Sequence, residues 1–160
     1  MAAAGSRPPA PVALDVPPIE QAPEHCGQAA LAMVLRYYGA DAPALREIDA
    51  AYDPVLRGSL VTDLAGAARR AGYRADVATL TADSLIALLA EGVPPIVLYQ
   101  NGPGPLTRRH FGVVTGWDPR RSTFTLNEGV LRPRTTSRNE LARRWRPAGS
   151  QALIVRRPTP

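Results

Sequence analysis

The sequence has no lysine: all 19 of its basic residues are arginine. A GC-rich genome accounts for this bias and for the abundance of alanine and proline; avoidance of modifiable side-chain amines is the sharper alternative. Cysteine occurs once, as Cys26, which excludes an internal disulfide framework. Histidine occurs twice, as His25 and His110, too few to join one cysteine in a dedicated structural zinc site. Neither a metal nor an organic cofactor is expected. Apolar runs are broken by Asp, Arg, Gly or Pro well before the length of a membrane-spanning helix, so no membrane span is expected. The opening Met-Ala-Ala-Ala-Gly-Ser lacks the basic and apolar regions of a secretory signal. The formal net charge of +5 favours acidic partners in general, yet no nucleic-acid motif accompanies it. Arg132, Arg134, Arg138, Arg143, Arg144 and Arg146 have no aromatic interleaving beyond Trp145 and read as a solvated face with carboxylate partners.

What is present is a globular composition, 45% hydrophobic and 21% charged over 160 residues. A chain of this length buries roughly two-thirds of its unfolded surface, enough for a core without staples. Residues 1–15 read as a flexible Pro/Ala-rich arm, and 16–157 as one domain. A nearly all-round apolar stretch from Gly27 to Tyr38, closed by Gly39, predicts a buried central helix. Further helices are predicted over 44–52, 59–71 and 81–90, with Gly72 and Gly92 ending the last two. Ser137 and Glu140 have capping-box spacing for a short helix through Trp145. Strands are predicted over 73–77, 96–99 and 152–155, with a hairpin of 110–117 and 122–129 around a turn at 118–121. Helices first and antiparallel strands later indicate an α+β fold, with helices packed on a small antiparallel sheet.

Chemistry concentrates in two segments. In Gln21-Ala-Pro-Glu-His-Cys26-Gly-Gln, the only cysteine stands where the central helix begins. Free amide N–H groups and the helix dipole there favour thiolate, the nucleophilic form. In His110-Phe-Gly-Val-Val-Thr-Gly-Trp-Asp, alternation places Phe111, Val113, Thr115 and Trp117 on one face toward the core. The other face, with His110, Gly112, Val114, Gly116, Thr123, Thr125, Asn127 and Gly129, reads as a cleft wall. In that register Asn127 lies opposite Gly112 and diagonal to His110, within side-chain reach. Asp118, roughly 26 Å up the strand, is too far to orient His110. Cys26, His110 and Asn127 thus read as nucleophile, base and orienting group. Gln21 supplies an amide that can join the Cys26 N–H in an oxyanion hole. His25 reads as a loop histidine, because adjacent residues at a helix start diverge. Glu20 and Glu24 read as solvated.

The stretches IEQAPEHCGQAALAMVLRYYGA, GSLVTDLAGAARRAGY, LLAEGVPPIVLY and RHFGVVTGWD resemble the papain-like cysteine peptidases that process double-glycine leaders of bacteriocins, and more closely their stand-alone bacterial relatives. The resemblance spans about residues 16–156 and rests on the combination Q-x4-C-G-x-A-A-L and H-F-x-V-V-x-G-x-D. It implies a papain-like fold, Cys26 as nucleophile, His110 as general base and acid, Gln21 in the oxyanion hole, and Asn127 where an aspartate is usual. The chain departs from the pattern at Gln28, where proline commonly follows Cys-Gly, in the five-residue rather than six-residue spacing of Gln21 from Cys26, and in Asn for Asp. The expected function is hydrolysis of a peptide or isopeptide bond through an acyl-enzyme, with a small residue, often glycine, before the scissile bond. The expected partner is therefore a peptide or protein substrate, glycine-ended in the sharpest form, with Gly102–Pro105 edging the cleft. Two alternatives use the same residues: a peptide-binding module without catalysis, and acyl transfer from the same thioester to an amine.

Overall fold

A computed structural model describes residues 7–160 of the chain. Among these, seven strands join one antiparallel sheet and five α-helices cover it. In chain order they are β1 (Val12–Ala13), α1 (Cys26–Tyr37), α2 (Ala42–Arg46), α3 (Val61–Arg70), β2 (Arg74–Thr79), α4 (Ala82–Ala90), β3 (Ile96–Asn101), β4 (Arg108–Asp118), β5 (Thr123–Asn127), β6 (Arg134–Ser137), α5 (Arg138–Trp145) and β7 (Gln151–Arg156). The strand order is β2-β7-β3-β4-β5-β6, with β1 paired to β4. The α+β architecture read from the sequence is what folds.

Local chemistry explains the helix ends. Gly39, Gly72 and Gly92 follow α1, α3 and α4 with φ of 83°, 96° and 80°, the left-handed geometry that closes a helix at little cost only for glycine. Thr81 and Ser137 cap α4 and α5 by accepting from the Ser84 and Glu140 N–H groups. The helix predicted over 44–52 is shorter: Asp41 caps α2 at Ala42, and from Glu47 to Ala51 the chain tightens into a 3₁₀ turn. Residues 12–14, assigned to a flexible arm, instead continue the sheet. Val12 and Ala13 pair with Trp117 and Gly116, and the Leu14 N–H donates to the Thr115 carbonyl at 2.8 Å. Residues 1–6 of that arm lie outside the described residues.

Both faces of the sheet are buried. On one, Phe111, Val113, Ile96 and Val155 pack against Leu31, Met33, Val34 and Leu35 of α1 and Leu64 of α3. On the other, Val97, Tyr99, Val114, Trp117, Phe124 and Leu126 pack against Leu85 and Leu89 of α4 and Leu141 and Trp145 of α5. The expected cleft wall is therefore a second core over most of its length. Trp117, expected beside Phe111 and Val113, belongs to that second core. Val114 and Trp117 are three residues apart and share a face, which strict alternation forbids. A β-bulge between Val114 and Gly116 supplies the extra residue, Thr115. The pairing is consequently Trp117↔Phe124 above the bulge and Val113↔Asn127 below it, not the expected Trp117↔Ser122 and Gly112↔Asn127.

Candidate active site

α1 starts at Cys26, so the Cys26 N–H has no acceptor within the helix. The helix points its N-terminus at the lower end of β4, where His110 sits. Gly27 makes the approach possible. A Cβ there would lie 3.1 Å from the side chains of Leu64 and Ser59 and 3.3 Å from Phe111, tighter than ordinary contact. Cys26 is half-buried and lines a cleft of about 840 Å³ together with Gln21, Ser59, Gly102, His110 and Phe111. Two residues 84 positions apart in the chain, Cys26 and His110, are thus brought to one wall.

Their electrostatics are mutual. Burial pushes the Cys26 thiol up, but hydrogen bonds from the His110 ring and the Phe111 N–H, with the charge of the imidazolium, outweigh it and hold the thiol below its ordinary range. Burial likewise disfavours the His110 imidazolium, yet the thiolate and the Glu128 carbonyl and charge more than offset it, so His110 sits above its ordinary range. The two opposite shifts share one cause: the charged form of each group favours the charged form of the other. His110 Nε2 lies 3.1 Å from the Glu128 carbonyl oxygen. A carbonyl only accepts, so Nε2 holds a proton, and Nδ1 is the nitrogen left for sulfur.

Asn127 does not orient His110 here. Its Nδ2 donates to the Val16 carbonyl at 3.0 Å, and the side chain is fully buried. The physical reason is the bulge: shifting the pairing by one residue turns Asn127 onto the Phe111/Val113 face and gives the His110 face to Glu128. The space at Gly112, expected to admit Asn127, is taken by Tyr99, whose ring and hydroxyl would lie 3.0 Å from an added Cβ. Asn127 instead ties the chain ahead of Gln21 to the sheet.

Gln21 reaches the cleft from the loop before α1. Its N–H donates to the Gly129 carbonyl at 2.9 Å, and its side chain lies flat on Gly129. A Cβ at Gly129 would meet the end of the Gln21 side chain, and φ there is 82°, the left-handed geometry that favours glycine. Gln21 Oε1 and Ser59 Oγ are buried without a hydrogen-bond partner among the described residues. Sequence reading passed over Ser59, placing it only as the first residue of the helix predicted over 59–71; α3 starts at Val61.

His25 stacks on Tyr52, with ring centroids 4.4 Å apart, and is a packing residue. Glu24, expected to be solvated, ion-pairs with Arg57 and accepts from the Tyr52 hydroxyl at 3.1 Å. The Arg57 guanidinium holds its carboxyl below the usual range. The pair ties the turn at 53–58 to the approach to Cys26. Asp118 accepts from the Arg120 and Arg121 N–H groups as a turn residue. Among the arginines weighed for nucleic acid, Arg134, Arg138, Arg143 and Arg144 have carboxylate partners. Among the described residues no cluster of His, Cys, Asp and Glu could hold a metal, and no helix is long and apolar enough to cross a membrane.

The model of the Peptidase_C39-like family matches residues 13–153. A solved double-glycine-motif protease from an AMS/PCAT transporter, in complex with its leader peptide, superposes with a TM-score of 0.70 at 26% identity, covering 93% of this chain and 98% of that one. A C39-like peptidase from Bacillus anthracis superposes with a TM-score of 0.75 at 17% identity over 94% of this chain and 100% of that one. The peptidase domain of Streptococcus ComA gives 0.70 at 18% identity, over 90% and 99%. No curated protein matches the sequence.

Proposed function

The chain belongs to the Peptidase_C39-like family, and from that membership we propose that it is a cysteine peptidase that cleaves a peptide after a glycine through an acyl-enzyme. The observation that carries the proposal is the placement of Cys26, at the head of α1, and His110 on one cleft, in keeping with a lowered thiol and a raised imidazole. Support for the substrate comes from the double-glycine-motif protease, a 26% identical relative that holds its leader peptide.

In this reading the Cys26 thiolate attacks the scissile carbonyl carbon, forming the S–C bond and moving the π electrons onto oxygen. The Cys26 N–H, free at the first residue of α1, and the Gln21 side-chain amide receive that oxyanion. As the C–N bond breaks, the His110 imidazolium gives its proton to the leaving amine. Water then enters; neutral His110 takes one of its protons, hydroxide adds to the thioester, and collapse expels the thiolate. The products are a carboxylic acid and the regenerated ion pair.

The test is turnover of a synthetic leader peptide carrying a double-glycine motif. Wild-type protein is expected to cut after the motif, and Cys26→Ala to leave the peptide intact with an unchanged circular dichroism spectrum. Turnover retained by Cys26→Ala overturns the proposal. Running the reaction with an added amine, and weighing the products, separates hydrolysis from acyl transfer.

A further inference from the structure

We propose that Glu128, gripped by Tyr99 and Arg144, is the residue that positions His110. This builds on the reading of Cys26 and His110 as a reactive pair, and concerns how the imidazole is held.

The one-residue shift at the bulge puts the Glu128 side chain, rather than Asn127, on the face of β4 that carries His110 and Gly112. There the Tyr99 hydroxyl donates to Glu128 Oε1. Arg134 of β6 and Arg144 of α5 approach the same carboxylate at 3.6 and 3.9 Å. Glu128 is only 12% exposed and Arg144 14%, so this charge is largely withdrawn from water and depends on its partners. Arg144 is itself fixed. It donates from Nε to the Gln100 carbonyl at 3.1 Å and from Nη2 to Asn101 Oδ1 at 3.0 Å, and its guanidinium lies 4.6 Å over the Tyr99 ring. Tyr99 is fully buried, fills the space above Gly112, and presents its edge to the His110 ring at 5.6 Å between centroids.

Glu128 follows directly on the end of β5. Anchoring its side chain at three points fixes its backbone, and its carbonyl is the group that accepts the His110 Nε2 proton. The carboxylate thus sets the imidazole through the main chain, and its negative charge also favours the imidazolium. The groups facing the His110 ring are Cys26 from α1, Tyr99 from β3, and the carbonyl and carboxylate of Glu128. Those facing the carboxylate are Tyr99, Arg134 and Arg144. Glu128 and Tyr99 touch no reacting atom and are positioning residues.

The test uses the full chain with ¹⁵N-labelled histidine. Only His25 and His110 contribute signals, and a His25→Gln variant assigns them. Neutral His110 in the wild type is expected to be the Nε2–H tautomer. Tyr99→Phe keeps the ring and loses the hydroxyl; Glu128→Ala loses the carboxylate. In both, the tautomer is expected to become mixed. Alkylation of Cys26 by iodoacetamide near pH 6 is expected to fall in both, by about tenfold in Glu128→Ala if the thiol rises by one pKa unit. Glu128→Gln still accepts from Tyr99 and is expected to keep the tautomer, while loss of charge lowers the pH at which His110 deprotonates. A folded Tyr99→Phe protein with wild-type tautomer and alkylation rate overturns the proposal, even if Glu128→Ala fails to fold. Neither readout needs peptide cleavage, so a protein that cuts no leader peptide but passes both tests defeats the proposed function and leaves this inference standing.

Discussion

The Cys26 thiol is tuned by its surroundings, not its identity. Burial alone would raise the thiol's pKa; the His110 ring and the Phe111 N–H more than offset that. The sign of each shift sets the pH profile. The thiolate is present above a thiol pKa lowered from its ordinary value, and the imidazolium persists up to a pKa raised above its own. The proposed mechanism requires the first to lie below the second, with the ion pair populated between them. The expected kcat/KM profile is a bell whose acid limb lies below the range of a free cysteine and whose alkaline limb lies above that of a free histidine. An acid limb at the pKa of an ordinary thiol, about 8.5, would show that the pair does not form. At this scale most of the candidate site was legible. A lone cysteine heading an apolar helix, a histidine opening a strand and a glutamine five residues upstream are signals that need no coordinates. Asn127 and Glu128 were the exception. They are neighbours in sequence, and choosing between them requires the register of a hairpin.

That register belongs to the element scale. Helix ends were readable because glycine and short polar residues do local work: Gly39, Gly72 and Gly92 adopt left-handed geometry, and Thr81 and Ser137 cap. The bulge at Thr115 carries no such signature, since threonine there reads as one more alternating strand residue. It decides the site nonetheless, because one extra residue exchanges the faces of everything beyond it. Deleting Thr115 is expected to force either Trp117 or His110 onto the wrong face. The predicted result is loss of the cooperative unfolding transition, seen by urea titration of tryptophan fluorescence. A deletion variant that unfolds cooperatively with wild-type Cys26 reactivity would show that the bulge is dispensable. The edge strands β1 and β6 were also illegible. One has two residues and the other is Arg-Thr-Thr-Ser, so neither shows an apolar alternation.

Across the whole molecule, one sheet separates two cores. α1 and α3 fill the first, α4 and α5 the second, and β3 and β4 contribute to both. The near-continuous apolar runs of β3 and β4 follow from this, since strands covered on both sides have no solvent face. Leu35 on α1 and Leu141 on α5 are both fully buried. Each Leu→Ala change is expected to cost about 2–5 kcal/mol. Because the two cores share the sheet, each should lower the midpoint of one common unfolding transition, measured by calorimetry. Separate transitions for the two variants would mean that the cores melt independently.

The amino-acid order alone determined the α+β class and the helix ends and marked Cys26 and His110 as the candidate reactive pair, because propensity, capping and dipole act within a few residues. The three-dimensional fold decided which atoms meet: that both sheet faces are interior, that a bulge gives Glu128 the place beside His110, and that a glycine far downstream seats Gln21. Those outcomes depend on contacts between segments remote along the chain, and no local preference encodes their register.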